Sequence, residues 1–77
     1  MIVESQAIAI FAALADPTRL SVIRMLVQAG RSGVSAGVLA EQLGISAPRL
    51  TFHLNVLSEA GLVDRQREGR RIIYSVL

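Results

Sequence analysis

The chain contains no cysteine, no lysine and only one histidine. Without thiols there is no disulfide framework, no thiolate nucleophile and no sulfur-ligated metal site, and one histidine does not by itself make a zinc centre. Neither a metal nor a cofactor is therefore expected. No run approaches the roughly 18 apolar residues of a membrane span, and Glu4, with no early basic segment, argues against a signal peptide. The expectation is a cytoplasmic chain with no membrane partner. Glu41, Glu59 and Glu68 are scattered along the sequence and form no catalytic pair, and nothing assembles a nucleophile with a base, so an enzyme is not expected.

What is present is 77 residues with 52% apolar content, enough for one small domain spanning 1–77. A chain this short hides only roughly 60% of its unfolded surface, which makes a partner subunit useful to its stability. All eight basic residues are arginine. From Met1 to Val63 four arginines balance four acids, whereas Asp64 to Leu77 holds Arg65, Arg67, Arg70 and Arg71 against Asp64 and Glu68, so the whole net charge of +2 sits in the last fourteen residues. A concentrated basic tip suits an anionic partner such as nucleic acid; a solvated hairpin is the plainer alternative.

Helical periodicity runs from Val3 to Ala15 in two apolar stripes, Val3, Ala7, Ile10 and Leu14, and Ile8, Phe11, Ala12 and Ala15. A helix apolar all round needs cover on two sides, and a homodimer interface through Val3, Ala7, Ile8, Ile10, Phe11 and Leu14 supplies it. Asp16-Pro17 starts a second helix, to Ala29, with Leu20, Ile23, Leu26 and Val27 as its buried face. Gly30-Arg31-Ser32-Gly33 reads as a connector. Ser35 caps a third helix with Val38, Leu39 and Leu43 inward; Gly44 ends it, and Ser46 caps a fourth from Ala47 to Ala60, whose leucines 50, 54 and 57 share a face with Gly61. After Gly61 the period changes to two: Val63–Arg67 and Arg71–Leu77 are expected as strands of a hairpin, with Ile72, Tyr74 and Val76 on the packed face. The fold class is mainly α with a small β-hairpin.

The segment Val38 to Leu50 fits a helix-turn-helix wherever a residue has a steric role. Ala40 is small at the helix crossing, Gly44 allows positive φ in the turn, Ile45 plugs the turn and Leu50 anchors the second helix. An ordinary helical hairpin is the competing reading, against which the agreement of turn, spacing and basic hairpin weighs.

Ala13-Leu14-Ala15-Asp16-Pro17-Thr18-Arg19-Leu20, Leu39 to Leu57, Glu59-Ala60-Gly61-Leu62-Val63 and Glu68-Gly69-Arg70-Arg71 resemble the ArsR family of winged-helix repressors, over nearly the whole chain. The resemblance implies a winged helix-turn-helix (about 36–60) with a wing (about 62–77), a homodimeric bacterial repressor of operator DNA, a recognition helix over Ala47 to Asn55 and a wing tip over Arg65 to Arg71. Two departures stand out. The family's closely spaced sensor cysteines have no counterpart in Gly33 to Gly37, and the last helix that family members usually add past the wing has none before Leu77.

Ser46, Ala47, Arg49, Thr51, Phe52, His53 and Asn55, with Arg65, Arg67, Arg70 and Arg71, are the candidate DNA contacts. Arg49 suits a phosphate or a guanine edge, and Phe52 a thymine methyl or a neighbouring segment. His53 stands near both the core and the DNA backbone in the family. Arg19 is expected to tie the start of the second helix to a neighbour, with direct DNA contact the alternative, and Tyr74 to belong to the hairpin core. The leading function is a sequence-specific regulator of transcription bound to double-stranded operator DNA; the alternative is a winged-helix protein-protein interaction module that uses the same outward surface without DNA.

Overall fold

The computed structural model describes residues 3–77. Helix α1 (Glu4–Leu14) starts at Val3 without a side-chain cap, whereas α2 (Pro17–Ala29) is capped by the Asp16 carboxylate, which accepts the Arg19 backbone N–H at 3.0 Å, with Pro17 in the first turn where no amide is needed. The connector Gly30–Ser32 is a single 3-10 turn. It leads into β1 (Val34–Ser35) and α3 (Ala36–Leu43), whose cap, Ser35, accepts the Val38 N–H. Gly44 adopts the left-handed conformation (φ 66°, ψ 34°) that turns the chain from α3 into α4 (Ala47–Glu59). Strands β2 (Val63–Glu68) and β3 (Arg71–Val76) form the hairpin around Gly69.

The hairpin is part of a larger sheet than the sequence suggests. β1 pairs antiparallel with β3, Val34 opposite Tyr74 and Ser35 opposite Ile73, giving three strands in the order β1-β3-β2. A two-residue strand is too short to show a period, which is why it is invisible in the sequence. The third strand also changes what β3 buries. Tyr74 is buried as expected and Ile72 packs at the edge of the core, but Ile73 on the opposite face is buried too, and Val76 is exposed. Ile73 lies under the chain at Gly33: a Cβ there would come within 2.8 Å of Ile73 Cγ2 and collide with the Tyr74 carbonyl.

One core joins all the helices to the sheet, with Val22, Leu26, Leu39, Leu50, Leu54 and Leu57 fully enclosed. Each such side chain contributes roughly 1.5–3 kcal/mol relative to exposure. Ala40, within α3 at the helix crossing, and Ile45, in the turn, both pack against this core as expected. Elsewhere the inward faces are rotated from expectation. In α2 the buried line is Val22 and Leu26 with Ile23 beside it, while Leu20 and Val27, seven residues apart on one stripe, are exposed; in α3 Val38 is exposed and Leu39 takes the interior. Both helices carry apolar residues on most sides, so their neighbours rather than their own periodicity choose the buried stripe.

Candidate nucleic-acid interface

Helix α4 is fixed at its start and along one side. Ser46 Oγ accepts the Arg49 backbone N–H at 3.3 Å at its start, the Ile45 N–H bonds the Ala40 carbonyl across the turn at 3.2 Å, and Leu50, Leu54 and Leu57 bury one face. The opposite face is therefore presented to solvent as a rigid surface: Ser46, Ala47, Arg49, Thr51, Phe52 and Asn55 are all exposed, with Phe52 retaining 62% of its accessible surface. A large exposed aromatic beside a free arginine, a hydroxyl and an amide offers apolar contact, donors and acceptors on one helix face.

His53 departs from the expected set. It follows Leu50 by three residues and precedes Leu57 by four, which puts it on the leucine face, and it is 9% exposed. Its Nδ1 lies 3.1 Å from Arg19 Nη1 and 3.9 Å from Asp16 Oδ2. The ring faces the domain and is not among the groups offered outward. Arg19 does tie α2 to its surroundings, as expected, since its Nε also donates to the Ala13 carbonyl at the end of α1. The backbone N–H of Arg19, followed by the charge of its guanidinium, holds the Asp16 carboxyl below its ordinary value of 3.8 against an opposing contribution from burial.

The wing carries its four arginines on the surface. Arg65 and Arg67 alternate on β2 opposite Tyr74 and Ile72, and Arg67 Nε donates to the Gly69 carbonyl at 3.1 Å, which braces the hairpin tip. Arg70 and Arg71 border an open cavity of about 320 Å³ together with Ser35, Ala36 and Gly37 at the start of α3. That neighbourhood had no signal in the sequence, because the β1–β3 pairing creates it. Among the described residues no three His, Asp or Glu side chains gather as a metal-ligand set, and no helix is long and apolar enough to cross a membrane.

The residues expected at a dimer interface divide cleanly. Ala7, Ile10 and Leu14 are half-buried on the side of α1 that meets α2 and α4, whereas Val3, Ile8 and Phe11 are exposed at 58%, 61% and 73%.

Residues 14–66 match the family model described as a helix-turn-helix domain. The chain is 41% identical over 71 residues to the HTH-type transcriptional regulator YgaV of Escherichia coli K12, covering 92% of this chain and 70% of that protein. It is 39% identical over 66 residues to the probable mercury resistance operon repressor of Streptomyces lividans, covering 86% of this chain but only half of that protein. In structure it matches the homodimeric winged helix-turn-helix DNA-binding domain of Mb0332 from Mycobacterium bovis, a possible ArsR-family regulator, with a TM-score of 0.85 and 28% identity over 94% of this chain and 64% of that one. Matched family model, relatives and architecture converge, and the chain belongs to the ArsR family of winged helix-turn-helix, DNA-binding transcriptional regulators.

Proposed function

We propose that the chain acts as a homodimeric repressor that reads a two-fold symmetric operator in double-stranded DNA. The observation that carries this reading is the outward face of α4, on which Arg49, Thr51, Phe52 and Asn55 stand free on a helix whose other side is locked into the core. In the major groove these side chains meet base edges, Arg49 a guanine or phosphate and Phe52 a thymine methyl, while Ser46 and Ala47 bring the capped helix end to the backbone. Arg65, Arg67, Arg70 and Arg71 on the wing supply backbone or minor-groove contacts. The exposed stripe of α1 at Ile8 and Phe11, with the exposed cap residue Val3, is the surface through which two copies associate, and Mb0332, which is homodimeric, supports that assembly.

The test is selection of bound fragments from the genome that encodes the chain, followed by titration of the selected duplex at several salt concentrations. A palindromic fragment bound with an affinity that falls steeply with salt is expected, because several phosphates exchange condensed counterions for arginine. Failure to retain any fragment, or binding indifferent to salt, overturns the proposal and favours a protein-binding role for the same surface.

A further inference from the structure

Arg19 stands in the first turn of α2, yet it joins three elements. Its backbone N–H is held by Asp16 Oδ2 at 3.0 Å, its Nε donates to the Ala13 carbonyl at the end of α1 at 2.6 Å, and its Nη1 is 3.1 Å from His53 Nδ1 in α4. A guanidinium has donors only, so the contact with His53 requires Nδ1 to accept, which assigns a neutral ring with its proton on Nε2. The charged groups facing that ring are Arg19 itself and Asp16, whose Oδ2 lies 3.9 Å from the same nitrogen; α1 contributes the Ala13 carbonyl and α4 the neighbouring Phe52 ring, edge-on at 5.4 Å. A proton on Nδ1 would set one N–H donor and one positive charge against another at 3.1 Å. The protonated ring keeps only Asp16 as a partner, and the Arg19 bond is lost.

We propose that Arg19 is a positioning residue for DNA reading: it fastens α4 to the end of α1 through His53, the fastening holds only while His53 is neutral, and operator affinity therefore falls on acidification. His53 occupies the middle of α4, on the side away from Arg49 and Asn55 and edge-on to the Phe52 ring, so a shift of the helix at this point moves the outward side chains together. The sign is diagnostic. Acid otherwise adds positive charge to a protein and strengthens its hold on phosphate, so a loss specific to His53 runs against the general trend. The inference rests on the operator reading above for its functional half, and on geometry alone for its structural half.

The experiment separates those halves. His53 is the only histidine, so long-range 1H–15N spectra report its ring without assignment, and DNA is not needed. At pH 8 the wild-type ring should be wholly the Nε2–H tautomer, and Arg19→Met, which keeps a long stem but no donor, should show a mixture. An Nδ1–H ring in the wild type, or identical spectra in the two proteins, overturns the assignment. Binding is then followed by fluorescence anisotropy at fixed ionic strength, with a duplex selected by the wild-type chain from a random-sequence pool at pH 8. Between pH 8 and pH 5.5 the wild type should lose about tenfold more affinity than His53→Asn, whose side-chain oxygen accepts from Arg19 and takes up no proton. Arg19→Met should bind about tenfold more weakly than wild type at pH 8 and show no such additional loss in acid. Circular dichroism checks folding; if His53→Asn is unfolded, the comparison with Arg19→Met decides. Parallel pH profiles in wild type and folded variants overturn the proposal. Failure to select any duplex at pH 8 overturns the operator reading and the functional half with it, a result distinguishable because the ring spectrum stands apart.

Discussion

At the scale of single residues, the arginines of the wing and those of α4 occupy different kinds of position. Arg70 lies in the exposed hairpin turn and Arg71 opens β3 opposite Glu68, whereas Arg49 projects from a capped helix with one buried face, beside Thr51. Substituting Arg70 or Arg71 by alanine should weaken binding to all duplexes to a similar extent and lower the salt slope by about one per lost contact. Changes at Arg49 or Thr51 should instead reorder the preferred sequences, by about 1–3 kcal/mol at one base position. Competition among a panel of single-base operator variants measures both. Asp16 belongs to the same scale. Its carboxyl is held down chiefly by the Arg19 backbone N–H, so its folded value lies below its unfolded one. The sign follows: its stabilisation is complete above the ordinary carboxylate range and disappears as pH falls through the depressed folded value. Asp16→Asn retains a good cap but cannot titrate. The melting temperatures of wild type and Asp16→Asn should therefore differ above the ordinary carboxylate range and converge below about pH 4.

At the scale of elements, the three-stranded sheet depends on one backbone position. Gly33 has φ 69° and passes so close to β3 that any Cβ meets the Tyr74 carbonyl and Ile73 Cγ2. Positive φ and contact with backbone act together, so no rotamer adjustment relieves the strain. Gly33→Ala should cost roughly 2–4 kcal/mol by chemical denaturation and strip protection from the β1–β3 amides in hydrogen exchange. At Gly44 a Cβ meets nothing, and the cost of alanine there is confined to the left-handed backbone, about 1 kcal/mol. The wing is thus more sensitive to its hidden third strand than the helix-turn-helix is to its conspicuous glycine.

At the scale of the whole molecule, the proposed dimer rests on α1. Its two stripes look equivalent as a sequence, but α2 and α4 take up the one containing Ile10 and leave Ile8 and Phe11 bare. In the proposed dimer, a two-fold contact through the bare stripe would bury apolar surface in both copies and present two α4 helices to two half-sites. Ile8→Glu should give a folded monomer by sedimentation and circular dichroism, with operator affinity reduced by two or more orders of magnitude because the second half-site is no longer held nearby. Ile10→Glu should instead lose helical signal and stability. A dimeric Ile8→Glu variant with normal DNA binding would remove this stripe from the interface.

The capped starts of α2, α3 and α4, the left-handed turn at Gly44 and the leucine face of α4 were all legible in the sequence, because each depends on residues within about four positions of one another. The outward placement of Arg49, Phe52 and Asn55 follows from the same helical repeat, and the part of this segment in reading DNA from the family resemblance. His53 could have been placed by that repeat as well, since it lies at helical spacing from Leu50 and Leu57, but its partner could not: Arg19 is 34 residues away. Tertiary structure alone decided that contact, the strand at Val34–Ser35, the burial of Ile73 in place of Val76 and the choice of stripe on α1. In each case several local arrangements satisfy the chain equally well, and the selection comes from which surfaces meet when distant elements pack, a long-range term that no local pattern of side chains contains.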